Sequence, residues 1–149
     1  MDSSEVEKIH SERWGRLGFE KLESIEKEFL GLYWLGGDVN NGGFEQYFFN
    51  SSGDMAKEAL AGLKRTGDVR ISGILERAMN AIPGGWVADR INRQNRSEVY
   101  WEDEDSDYNK ILSACDEEFY SLNQDPMVLL MPLLTKFYEE RGITLSSLQ

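Results

Sequence analysis

Apolar residues in this chain recur at steps of three and four and nowhere alternate with polar ones over a useful length. Such steps put side chains on one face of an α-helix, whereas a half-buried strand needs a period of two. Leu22, Ile25, Phe29, Leu32 and Tyr33 form one stripe of this kind. Val69, Ile71, Ile74, Leu75, Ala78 and Ile82 form a second, and Ile111, Leu112, Cys115, Phe119 and Leu122 a third. The pattern argues against a sheet and predicts an all-α chain.

Punctuation then divides the helices. A short first helix carries Val6, Ile9 and Trp14, with Ser3 or Ser4 as its cap. The long second helix is expected to weaken at Gly36-Gly37 and to end at Asn40-Asn41-Gly42-Gly43, because Asn and Gly tolerate the left-handed conformation of a helix stop. Phe44, Tyr47 and Phe48 mark one face of a short helix closed by Asn50-Ser51-Ser52-Gly53. Asp54 is the expected N-cap of residues 55–66, and Asp68 that of a helix running into Pro83-Gly84-Gly85. Residues 86–96 form one more short helix with Arg90, Arg93 and Arg96 on one side. Asp107 caps a helix reaching Leu122, and Pro126 suits the first turn of a central last helix that Gly142 stops. Connections are short, without a linker or a repeat. Residues 1–149 are therefore expected to form a single compact orthogonal bundle of about six to eight helices.

With 40% hydrophobic residues the chain can fill a core, which argues against wholesale disorder. No apolar run approaches the roughly 20 residues that cross a bilayer, and the polar start Met1-Asp2-Ser3-Ser4-Glu5 resembles no targeting peptide. A cytoplasmic location is expected. Cys115 is the only cysteine, which rules out an intramolecular disulfide and argues against a thiolate zinc site; its apolar neighbours suit it to core packing. His10 is the only histidine and is expected near a frayed end. Neither a phosphate-cradling Gly loop nor a nucleophile elbow occurs. No catalytic residue, metal or cofactor is expected, and the chain reads as a binding protein, not an enzyme.

The net charge of −11 is unevenly placed. Residues 97–149 hold 12 acids and 3 bases, or −9, whereas residues 1–96 hold 15 acids and 13 bases, or −2. Such a field repels nucleic acid, whose binding needs Lys and Arg to displace counterions from phosphate. It attracts a basic protein surface and speeds encounter with it.

The stretch Asn40-Asn41-Gly42-Gly43-Phe44-Glu45-Gln46-Tyr47-Phe48-Phe49-Asn50-Ser51-Ser52-Gly53 is the most distinctive in the chain. It resembles the signature of a family of small acidic bacterial DNA-mimic proteins. Ala81-Ile82-Pro83-Gly84-Gly85, the Arg-bearing segment after it and Cys115-Asp116-Glu117-Glu118-Phe119-Tyr120 follow in the family's order, so the resemblance covers about residues 20–140. It implies an all-helical fold and, as in the family's namesake, acidic side chains that imitate DNA phosphates on the DNA-binding face of a transcriptional regulator. That activity depends on where surface charge lies and does not follow from a shared core. Within the motif, Asn41, Gly42, Gly43, Phe44, Gln46, Tyr47, Phe48 and Asn50 have a structural reading: a sharp glycine turn, three inward aromatics, and Gln46 and Asn50 hydrogen-bonded to each other or to nearby backbone. Asn41, Gln46, Tyr47 and Asn50 also suit the lining of a small-ligand pocket.

The candidate partner-binding surface is acidic: Glu98, Glu102, Asp103, Glu104, Asp105 and Asp107, followed by Asp116, Glu117 and Glu118. Tyr100, Trp101 and Tyr108 interleave with these acids, and aromatics are enriched at interfaces. If residues 98–107 are helical, Glu98 with Glu102 and Asp103 with Asp107 lie about 6 Å apart along the axis. That gap approximates two phosphates of one DNA strand, each rising roughly 3.4 Å. The expected partner is a basic protein, in the first instance a nucleic-acid-binding regulator, with no direct nucleic-acid or membrane binding and with a homodimer left open. Two alternatives stand beside it: an immunity- or antitoxin-type inhibitor of a basic toxin, and a small-ligand domain using residues 41–50.

Overall fold

The computed structural model describes residues 1–149, and every regular element in it is helical. Seven α-helices follow in order: α1 (Ser3–Leu17), α2 (Ser24–Phe49), α3 (Ala56–Thr66), α4 (Val69–Ala81), α5 (Arg90–Ser97), α6 (Asp107–Leu122) and α7 (Pro126–Glu139). Four short 3₁₀ turns, Phe19–Lys21, Ser51–Met55, Glu98–Tyr100 and Leu145–Leu148, fill connections and the C-terminal end. The all-helical class and the helix number agree with the periodicity of the sequence.

The long helix α2 is the hub, and α1, α3, α5, α6 and α7 all pack on it. Its stripe of Ile25, Phe29, Leu32, Leu35 and Val39 is fully buried and joins Leu63, Leu75, Leu112, Leu130 and Leu134 in one core. Burying an aliphatic side chain contributes about 1.5–3 kcal/mol, so this stripe decides where the other helices dock. Two glycines set the distances. A Cβ on Gly31 would lie 2.8 Å from the Ala59 backbone nitrogen of α3, and one on Gly36 would lie 3.2 Å from the Pro126 ring of α7. Gly36 thus admits the start of α7 and does not weaken α2.

Several helix boundaries differ from expectation, each for a local reason. Asp2, not Ser3 or Ser4, caps α1, in a reciprocal box with Glu5. Ser106, not Asp107, caps α6, accepting the Asn109 N–H. Asp54 does not cap α3, because residues 51–55 form a 3₁₀ turn and its carboxylate accepts a hydrogen bond from Arg93. Asp68 caps α4 and Pro126 begins α7, as the sequence predicts. The break expected at residues 40–43 is present: Gly42 and Gly43 leave helical geometry and a second helical stretch follows to Phe49, so α2 is two helices joined across a kink. His10 is fully buried, not frayed, because its ring packs against Phe29 and Tyr138.

Candidate functional site

Residues 40–53 are built around the kink. Gly42 and Gly43 leave helical geometry, and Gly43 takes φ +79°. A Cβ there would also lie 2.5 Å from Asp116 Oδ2, so conformation and space both demand glycine. In an unbroken helix the Val39 carbonyl would accept from the Gly43 N–H and the Asn40 carbonyl from the Phe44 N–H. Here α6 supplies the partners. Asp116 Oδ1 accepts the Phe44 N–H at 2.8 Å, and the Tyr120 hydroxyl donates to the Val39 carbonyl at 2.7 Å. Asp116 and Tyr120 stand four residues apart, on one face of α6, and together they grip both sides of the kink. Burial pushes the Asp116 carboxyl up, against the Phe44 hydrogen bond, and the neighbouring Glu45 and Glu117 carboxylates push it further.

Downstream of the kink Phe44, Tyr47 and Phe48 point into the core, with the Phe44 ring edge-on to Phe119 at 6.0 Å. On the polar side, Gln46 receives a hydrogen bond from Asn41 Nδ2 at 3.1 Å and donates to Asp38 at 3.2 Å. Asp38 also accepts the Ser52 hydroxyl. The Gln46 and Asn50 side chains do not bond each other; the two residues meet through the backbone, the Asn50 N–H donating to the Gln46 carbonyl at 3.0 Å. Asn41, Gln46, Tyr47 and Asn50 do not line a common pocket: Tyr47 lies in the core, and of the four only Asn50 opens on a cleft.

Arg93 finishes the motif. It is 1% exposed and donates to Phe48 O at 2.7 Å, Asn50 O at 3.0 Å and Asp54 Oδ1 at 2.9 Å, and to Val87 O and Ala88 O at 3.1 Å. A guanidinium at the carbonyl end of α2 satisfies acceptors that the helix leaves open and complements its dipole. The sequence placed Arg93 beside Arg90 and Arg96 without separating them. Only Arg93 turns inward, because α5 rests that side on the end of α2.

The acids divide by environment. Glu98, Glu102, Asp103, Glu104, Asp105 and Asp107 are exposed, and none of them forms an ion pair. They do not share one helix. The chain makes a 3₁₀ turn, two further turns and then the first residue of α6. The expected 6 Å spacing of Glu98 with Glu102 and of Asp103 with Asp107 along an axis therefore has no helix to carry it. The loop is braced from within: Asn109 donates to the Tyr100 and Asp103 carbonyls, and the Asp103 carboxylate accepts the Asp105 N–H at 3.1 Å. Trp101 packs edge-on against the exposed Phe49 at 5.2 Å. Asp116 is committed to the kink and Glu118 to Arg77, which leaves Glu117 as the free, exposed member of that trio.

Two features had no clear signal in the sequence. One is a buried charge cluster: Glu26, fully buried on α2, accepts from His10 Nδ1 at 2.7 Å and from Arg13 at 2.8 and 3.1 Å. The other is an open cleft of about 790 Å³, where α1 and the turn after it face α2, the 51–55 turn, α3 and Arg90 of α5. Trp14, Phe19 and Trp34 stand on its walls with the carboxylates of Glu20, Asp38, Asp54 and Glu58.

No helix is long and apolar enough to cross a membrane. No curated protein and no solved structure matches the chain. The family comparison is positive: residues 20–141, from the turn before α2 to just beyond α7, match the model for DMP19-like protein, so the kink, its α6 clamp and the Arg93 cap all lie within the match and the chain belongs to the DMP19-like protein family.

Proposed function

We propose that the protein is an acidic interaction protein, acting without catalysis, that presents the carboxylates of residues 98–107 to a basic nucleic-acid-binding protein in the manner of a DNA mimic. One observation carries the reading: Glu102, Asp103, Glu104 and Asp105 are exposed together without a cation of the chain's own. Glu26, Glu28, Asp54 and Asp68 each pair with an arginine, whereas this loop gathers its carboxylates side by side without one. Its internal hydrogen bonds hold the charges in place before a partner arrives, which limits the entropy lost on docking. Trp101 and Phe49 beside the loop add the aromatic surface that interfaces favour.

The test replaces Glu102, Asp103, Glu104 and Asp105 with their amides, removing four charges at nearly constant size. Basic proteins retained from native lysate by the immobilised wild type should elute as salt rises, and the quadruple variant should retain them far less at low salt, chiefly through slower association. Neutralising Glu5, Glu7 and Glu12 should matter little. Equal retention by wild type and quadruple variant at low salt would refute the proposal.

A further inference from the structure

We propose that the cleft between α1 and α3 is a binding site for a guanidinium group, separate from the acidic loop. Its walls carry two indoles, Trp14 and Trp34, which are 36% and 40% exposed. No cation of the chain lies over either ring; Lys27 covers the neighbouring Phe19 instead, its Nζ 5.4 Å from the ring centroid. Trp14 is braced by Phe19 at 4.9 Å and Trp34 by Tyr33 at 5.5 Å, so each indole is held while its outer face stays open.

The same lining holds Asp38, one turn along α2 from Trp34, together with Asp54 and Glu58. Asp54 is paired with the buried Arg93, whereas Asp38 accepts only neutral donors and Glu58 has no partner. Glu20, 93% exposed, adds a fourth carboxylate at the rim, 3.9 Å from Lys27 Nζ, and Arg90 is the one cation of the lining itself. Carboxylates thus outnumber cations in the lining, which favours a positively charged ligand.

A planar, weakly hydrated cation stacks on indole and forks onto carboxylates, which is the behaviour of guanidinium more than of ammonium. The volume of about 790 Å³ falls within the range of small-ligand sites and is ample for an arginine side chain. The guanidinium can come from free arginine or from an arginyl residue of a polypeptide, and the same test separates the two.

The full chain, ¹⁵N-labelled, is titrated with N-acetyl-arginine amide, with N-acetyl-lysine amide and with a short peptide containing one arginine. The arginine amide should shift the indole N–H signals of Trp14 and Trp34 saturably, leaving those of Trp86 and Trp101 in place. Trp34→Ala and Glu58→Gln should each weaken binding roughly fivefold to tenfold. The amide variants of residues 102–105 should bind as wild type does, so this site and the acidic loop succeed or fail separately. Shifts with the arginine amide identify a small-molecule site, and shifts with the peptide alone identify polypeptide docking; either supports guanidinium recognition. Absence of saturable shifts with both, an equal response to the lysine amide, or undiminished binding in Trp34→Ala and Glu58→Gln would overturn it.

Discussion

Glu26 has no exposed surface, yet its carboxylate is fully engaged by His10, by Arg13 and by the Glu23 N–H at 3.0 Å. Burial by itself raises its pKa, but the bonds from His10 and Arg13 and the backbone N–H outweigh it and hold the carboxyl well below the usual range. A carboxyl depressed in the folded state stabilises the fold above its unfolded value of 4.5 and loses that contribution as pH falls below it. Glu26→Gln strands two donors and should cost about 3–5 kcal/mol, the usual scale for breaking a buried ion pair. The variant should also show a shallower loss of stability on acidification than wild type, measured by urea unfolding between neutral pH and pH 3. Phe44 is fully buried against Phe119, so Phe44→Ala should likewise cost about 3–5 kcal/mol in the same assay.

Helix α2 differs from an ordinary long helix in that another element completes its hydrogen bonding. Gly43 breaks the ladder, and Asp116 and Tyr120 of α6 take up the Phe44 N–H and the Val39 carbonyl. Asp116→Ala removes the acceptor and should cost about 1–3 kcal/mol. Asp116→Asn keeps an acceptor oxygen and removes a charge that burial and Glu45 disfavour, so it should cost clearly less than the alanine variant. Tyr120→Phe should cost about 0.5–1.5 kcal/mol. Gly43→Ala should be worse than an exposed glycine substitution, since it meets both a positive φ and the Asp116 carboxylate. Chemical denaturation of the four variants ranks them, and a harmless Asp116→Ala would refute the clamp.

Across the whole molecule, charge and stability are largely separated. The acids buried in the helices have partners, whereas the loop before α6 carries free ones. Amides at 102–105 should therefore change unfolding free energy by less than about 0.5 kcal/mol, because isolated surface charges contribute little. Melting of that variant, followed by circular dichroism at neutral pH, should overlay the wild-type curve. A large loss would mean that the loop carboxylates support the fold.

Periodicity alone is enough to establish the helical class, most helix positions and the inward aromatics of residues 44–48, because a periodic apolar stripe has one face to bury wherever its helix docks. The charge asymmetry is read from the sequence as well, since a sum over residues needs no geometry. Tertiary structure decided what pairwise meetings between distant residues determine. His10 could not be placed until Glu26, 16 positions away, came into contact with it. Asp116 reads as one acid of a surface trio until Gly43, 73 positions earlier, leaves it room and Phe44 gives it a donor. Three arginines at helical spacing look alike until α5 meets the end of α2 and only Arg93 is buried. The cleft is the extreme case, for its indoles and carboxylates come from separate helices and turns. A period reports a residue's own face; it carries no information on which other face will lie opposite, and that is settled only when the helices pack.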